Sequence, residues 1–249
     1  MTIYHSTTDL ARRSLIAALL GICVLGISAC GSNLPKYRYR LRISVRTPEG
    51  IVSGASVLEV STFRAGDNTI PTPGAVRHSL RGQAIFVDLG ERGKLLGLLA
   101  SADGNVDWAK NILFRLTPPA RNVPPGTSSR ERFAARYAAM LSNRKPIEVP
   151  QYLPDGIMNA SRPAWPMMVK LDNSLALETM VVVDPLQLPK YFGPGVEIDK
   201  LEAQITYDQV DFGIKKFINW LPIDYNSIPR NVAKSGIPMG DLQELFLRD

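Results

Sequence analysis

From Lys36 to Arg46 the chain alternates with period two. Tyr37, Tyr39, Leu41, Ile43 and Val45 fall on one parity, and Arg38, Arg40, Arg42, Ser44 and Arg46 on the other. That spacing predicts a half-buried strand with an apolar face and an arginine face. Thr47-Pro48-Glu49-Gly50 reads as a turn, because Pro48 pre-sets φ and Gly50 permits a tight conformation. A second strand is expected over 54–64. Residues 67–82 are polar, punctuated by Pro and Gly, and read as a loop; 83–89 and 94–101 then read as strands around the turn Gly90-Glu91-Arg92-Gly93. The run 94–101 is apolar enough to be a short buried helix instead.

Further along, 106–116 is expected to be helical. Residues 117–130 hold four prolines in fourteen positions, which neither a helix nor a central strand accepts, so a long surface loop is expected. A helix should follow over 129–143, where Phe133, Tyr137, Met140 and Leu141 form one apolar stripe rimmed by Arg130, Arg132, Arg136 and Arg144. Strands are expected at 167–171 and 178–184. The continuous run Met180–Val183 implies that the second of these is buried on both faces. After Gly193-Pro194-Gly195, Leu201, Ala203, Ile205 and Tyr207 alternate with polar residues as another strand. A short amphipathic helix over 213–222 should end at Pro222, with a terminal helix at 241–247 in an otherwise irregular tail. These elements define an α+β protein, mainly antiparallel β, with a sandwich-like N-terminal part and three or four short helices. Residues 37–249 are expected to form one domain.

The opening hairpin, with "TPEG" followed by "IVSGASVLEV", is similar to that of transthyretin-like and carboxypeptidase-regulatory-like β-sandwich domains. It also resembles the opening of a group of uncharacterised proteobacterial proteins. The likeness covers about 25 residues.

The N-terminus changes the picture. Arg12 and Arg13 precede an uncharged run from Leu15 to Ala29, too short for a comfortable membrane span but suited to the apolar core of an export signal. The run ends in Ile27-Ser28-Ala29-Cys30, which resembles the lipobox of bacterial lipoproteins at all four positions. The resemblance implies that residues 1–29 are a signal peptide, that Cys30 is acylated with palmitate-type chains, and that 30–36 tether the domain. With Gly31 rather than aspartate next, it also implies sorting to the periplasmic face of the outer membrane. "ARRSLIA" resembles the twin-arginine export motif as well, with Ala11 at the leading Ser/Thr position; the apolar signal core fits general secretion better.

Removing 1–29 takes basic residues from 29 to 27 and acidic ones from 23 to 22, so the charge falls from +6 to +5. It leaves His78 as the single histidine and Cys30 as the single cysteine. Zinc sites need several such ligands, so no metal or cofactor is expected. Motifs for phosphate loops, dinucleotide binding or a nucleophile elbow are absent, and nucleic acid is not an expected partner. His78 is expected on an open loop. Asp103, Asn105 and Asp107 take the first, third and fifth places of a calcium loop, but Trp108 and Phe114 stand where glycine and glutamate are required. Asp107 is expected as a helix cap, and Asp208 and Asp211 as strand-end and cap residues.

The leading expectation is a lipid-anchored envelope protein with a non-catalytic binding or scaffold role. Its partners would be the membrane through the anchor, anionic lipid headgroups, or another envelope protein. The alternatives are an envelope hydrolase using carboxylates or His78, and a lipid- or lipopolysaccharide-handling protein with an apolar cavity. Arg38, Arg40, Arg42 and Arg46 offer contact with an anionic surface; the competing reading is an edge strand whose arginines block aggregation.

Overall fold

The computed structural model describes residues 32–65, 75–119, 124, 126–154, 161–224, 226, 228–238 and 242–249. They fall into two compact units. One comprises 1–34 and 62–77; in its described part β1 (Ser32–Asn33) pairs antiparallel with Phe63 and Arg64, and Ala65 N–H donates to Ala75 O. The other, 35–61 and 78–249, carries everything below.

Its architecture is α+β, dominated by antiparallel strands in two sheets. β2 (Tyr37–Thr47) and β3 (Gly50–Arg64) form the expected hairpin, closed by Thr47 opposite Gly50. On the other side of β2 lies β12 (Glu197–Thr206), and the sheet order is β13–β4–β3–β2–β12–β7. Here β4 is Val76–Gln83, β7 is Ile147–Glu148 and β13 is Leu247–Arg248. The second sheet runs β11–β10–β6–β5, from Val181–Val183, Pro166–Leu171, Lys94–Ser101 and Ile85–Asp88. A separate ribbon joins β8 (Tyr152–Pro154) and β9 (Ser161–Pro163).

The sheets approach closely where glycine allows it. A Cβ at Gly54 would stand 1.9 Å from the Phe86 carbonyl oxygen, and one at Gly97 would stand 2.6 Å from Ile43 Cδ1. Ile43 of one sheet thus fills the space left by Gly97 of the other. β6 is central and covered on both faces, which explains its unbroken apolar run. Gly97 faces the hairpin; Leu96, Leu98 and Ala100 face a cluster with Val169, Leu171, Ile214, Ile218, Leu245 and Phe246.

Helices seal the sandwich. α1 (Trp108–Leu116) is fixed to β2 by the Tyr39 hydroxyl, which donates to Ala109 O, and to the β9–β10 connection by Trp108 Nε1–H, 2.8 Å from Ala164 O. α2 (Ser129–Ser142) begins at a capping box: Ser128 Oγ accepts from Glu131 N–H while the Glu131 carboxylate accepts from Ser128 N–H. Its stripe behaves as expected, with Tyr137 and Met140 buried and Phe133 packed 5.0 Å from Phe114. α3 (Leu188–Phe192) and α4 (Arg230–Ala233) are short pieces without a sequence expectation. α5 (Leu242–Phe246) is the terminal helix expected at 241–247, of which Asp241 lies outside the described residues.

Four local expectations are corrected. From Val76 onward the supposed loop is strand β4, because β3 offers it a partner edge that polar composition does not reveal; 67–74 lie outside the described residues. The run 178–184 is a 3₁₀ turn at Leu177–Thr179 and the edge strand β11; its four apolar residues divide between core and surface, with Met180 and Val183 buried and Val181 46% exposed. The helix over 213–222 reduces to one 3₁₀ turn, Gly213–Lys216, although Ile214, Ile218 and Leu221 still enter the core. Finally, β2 is not an edge: β3 and β12 flank it, so its arginines guard no open backbone.

The close approach at Gly54 makes a prediction. Gly54→Ala should lower stability by about 1–3 kcal/mol through overpacking against backbone that cannot yield. Ser53→Ala, at the exposed neighbouring position, should stay within about 0.5 kcal/mol of wild type. Urea unfolding midpoints of the two variants decide it; equal midpoints would remove the close-packing argument.

Candidate functional site

The arginine face comes first, because the sequence pointed to it. Arg38 Nε–H donates to Glu59 Oε2 at 2.7 Å, Arg40 pairs with Asp208, and Arg46 bridges Glu197 (3.0 Å) and Asp199 (2.6 Å). Three arginines thus meet four carboxylates, Glu59, Asp208, Glu197 and Asp199, and with Arg42 counted the row comes to a formal sum of zero. Arg42 is the member of the row with no ion pair among the described residues. Most of these carboxylates arrive on β12 or just after it, from a part of the chain more than 150 residues away.

At the Tyr37 end of β2 the balance differs. Lys36 just before β2, Tyr37 and Arg38 on it, Glu59 on β3, Ile205, Thr206 and Tyr207 at the end of β12, and Leu141 and Arg144 at the end of α2 line an open cleft of about 380 Å³. That is within the range of small-ligand sites, roughly 300–1,000 Å³. Lys36, Arg38 and Arg144 against Glu59 give a lining charge of +2. Glu59 is only 8% exposed and is already engaged by Arg38, with Arg81 Nη1 3.9 Å away, so its charge is spent within the wall.

Arg144 is held in place. Its guanidinium lies over the Tyr207 ring, 4.2 Å from the centroid, and donates to the Tyr207 hydroxyl. Its backbone oxygen accepts from Gln204 Nε2 at 2.8 Å, tying the end of α2 to β12. Tyr207, the last apolar position in the alternation expected of this strand, is 82% exposed. Tyr37 contributes its ring, since its hydroxyl turns to Lys110 O; burial, with Tyr137 beside it, pushes its pKa far above the ordinary phenol value and keeps it neutral. The floor is therefore part apolar, from Ile205, Leu141 and Tyr37, and the rim cationic.

The carboxylates weighed for chemistry are placed elsewhere and engaged. Asp103 accepts from Ser101 Oγ, Asp107 pairs with Lys110 at 2.7 Å, and Asp211 accepts from Gly213 N–H at 2.7 Å as a turn cap. Asp107 stands at the helix start as expected, but its side chain makes no cap hydrogen bond. A second cleft at the hairpin turn holds Glu49, Asp88 and Glu91. There Arg92 and Thr47 hold the Glu49 pKa below the ordinary carboxylate value, and Lys94 does the same for Asp88. Carboxylates held ionised in this way are poor general acids at neutral pH. No group of three or more His, Cys, Asp or Glu among the described residues could hold a metal ion.

His78 sits half-buried on β4, not on an open loop. Burial and the Lys110 ammonium push its imidazole below the ordinary value of 6.5, against an opposing pull from Asp107. Ile27, Ser28, Ala29 and Cys30 lie outside the described residues. No protein-family model matches the chain, and neither a curated protein nor a solved structure matches it significantly.

The His78 environment fixes a pH dependence. The folded chain holds this proton less tightly than the unfolded chain, so stability rises with pH from the depressed pKa up to about 6.5 and is lost on acidification through that window. Glu49, Asp88, Glu131 and Asp172, whose pKa values are also lowered, act below that window, as pH falls past the ordinary carboxylate range. His78→Gln should therefore flatten the fall in urea stability between about pH 7 and pH 5. Parallel slopes for variant and wild type would refute the assignment.

Proposed function

We propose that the protein is a lipid-anchored binding or scaffold protein on the periplasmic face of the outer membrane, with 1–29 removed on export and Cys30 acylated. The observation that carries this reading is the four-position motif Ile27-Ser28-Ala29-Cys30 behind an apolar signal core, six residues before the strand that edges the cleft. Fully extended, the link from Cys30 to Lys36 reaches on the order of 20 Å, which keeps the cleft near the bilayer. No helix among the described residues is long and apolar enough to cross a membrane. Support for a non-catalytic role comes from the side chains that would carry chemistry: the candidate aspartates serve caps, turns and ion pairs.

Energetics assign retention to the anchor. Acyl chains contribute about 0.8 kcal/mol per buried CH₂, hence tens of kcal/mol for a lipoprotein anchor. A basic residue near an anionic surface contributes about 1 kcal/mol, and the β2 arginines are offset by carboxylates. The arginine row, offset in this way, is not what holds the domain at the membrane.

Mass spectrometry of membrane-extracted protein should find an N-terminal peptide that begins at Cys30 and carries acyl groups. Cys30→Ala should abolish acyl labelling. A free Cys30 thiol, or labelling that persists in the variant, would overturn the anchored reading.

A further inference from the structure

We infer that the cleft between β2, β12 and the end of α2 binds the phosphate of an anionic lipid headgroup. Lys36 and Arg144 are its two cations with no ion-pair partner among the described residues, and both line the same open space. Arg38 and Glu59 beside them cancel one another, so an entering anion meets a lining of net charge +2 with no exposed carboxylate among its residues; Asp208, next to Tyr207, is paired with Arg40. A guanidinium fixed by stacking loses little freedom on binding an oxyanion, and its fork of donors matches phosphate geometry. An ammonium on a flexible stem adds a point charge from the other side. Ile205, Leu141 and the Tyr37 ring then give an apolar seat to the glycerol and the first methylenes below the phosphate. A space of this size takes a headgroup and leaves the acyl chains in the bilayer.

The lipid, as opposed to free phosphate, is the assigned source because Lys36 follows Cys30 by six residues. On this point the inference rests on the anchored reading above, since an acyl anchor at Cys30 would hold the cleft within reach of a headgroup layer. A soluble anion would need neither that position nor the apolar floor.

The test uses the lipidated full chain in nonionic detergent, titrated with dihexanoylphosphatidylglycerol and followed by the phosphorus NMR signal. Saturable binding is expected. Lys36→Gln with Arg144→Gln should weaken it at least about tenfold, since each removes a charge-assisted contact. Lys36→Gln alone, at an exposed position whose side chain makes no hydrogen bond among the described residues, should weaken it measurably without altering the thermal melt. Arg42→Gln, on the same strand but away from the cleft, should leave binding unchanged. Dihexanoylphosphatidylcholine should bind more weakly, its choline repelled by the cationic rim. Binding unaffected by the double substitution, or weakened equally by Arg42→Gln, would overturn the site. Inorganic phosphate that competes as well as the lipid would overturn the lipid as ligand. The unacylated Cys30→Ala chain, assayed in the same way, separates the two ideas: it should bind the headgroup lipid as the acylated chain does, so a free Cys30 thiol in the membrane-extracted protein would refute the anchor and leave the cleft standing.

Discussion

The pairing of β12 with β2 is the constraint on which both the core and the cleft depend. Nine residue pairs run from Glu197 opposite Arg46 to Thr206 opposite Arg38, with one irregularity between Ile198 and Lys200. In that register Leu201, Ala203 and Ile205 fall beside Ile43, Leu41 and Tyr39, all buried. The alternate parity brings Glu197 to Arg46 and carries the chain on to Asp208 beside Arg40. A slip of one residue would turn every β12 side chain to the other face. It would place Leu201 and Ile205 among arginines and withdraw the carboxylates from them. Burial on one face and charge pairing on the other therefore select the same register, and agreement between two independent terms is what makes a native pairing unique. Tyr207 and Thr206 reach the cleft only because that register holds.

How much of this was legible follows from the range of the interactions. The β2–β3 hairpin, the α1 and α2 helices and the alternation in β12 rest on spacing within ten to fifteen residues and were readable. The edge position expected of β2 was not, because the strand that covers it returns about 150 residues later. β4 was hidden for the same reason: Val76 to Gln83 contains polar residues and a glycine, and becomes a strand by pairing with β3 on one side and the terminal β13 on the other. The continuous valines of β11 misled in the opposite direction. An apolar run shows that burial is available, but whether a strand is central or at an edge depends on neighbours the run does not contain.

The candidate site divides along the same line. The arginine row was visible as a period-two pattern, but its compensation by Glu59, Asp208, Glu197 and Asp199 was not, since no local spacing links them. Arg144 read as part of the rim of a helix, and Tyr207 as the last alternating position of a strand. Each description was reasonable for its own segment. The stacking of one on the other turns two surface residues into a rigid cationic wall, and it arises only from the meeting of the two segments' ends.

On the anchored reading, a cleft of this kind would gain its use from where it is held. Two charge-assisted contacts in an open, solvated space give weak intrinsic affinity, because exposed pairs lose much of their attraction to screening. On the anchored reading, tethering makes binding intramolecular, and a short link sets an effective concentration in the millimolar range or above without adding a contact. Headgroups in the same surface are also abundant, so a weak site would stay occupied and exchange rapidly. On the same reading, mutual neutralisation along the rest of β2 would keep the domain from lying flat on its arginine face. The remaining uncompensated charge of the cleft lies on Lys36 and Arg144, at the Tyr37 end of β2, where on that reading it would favour one posture over the others.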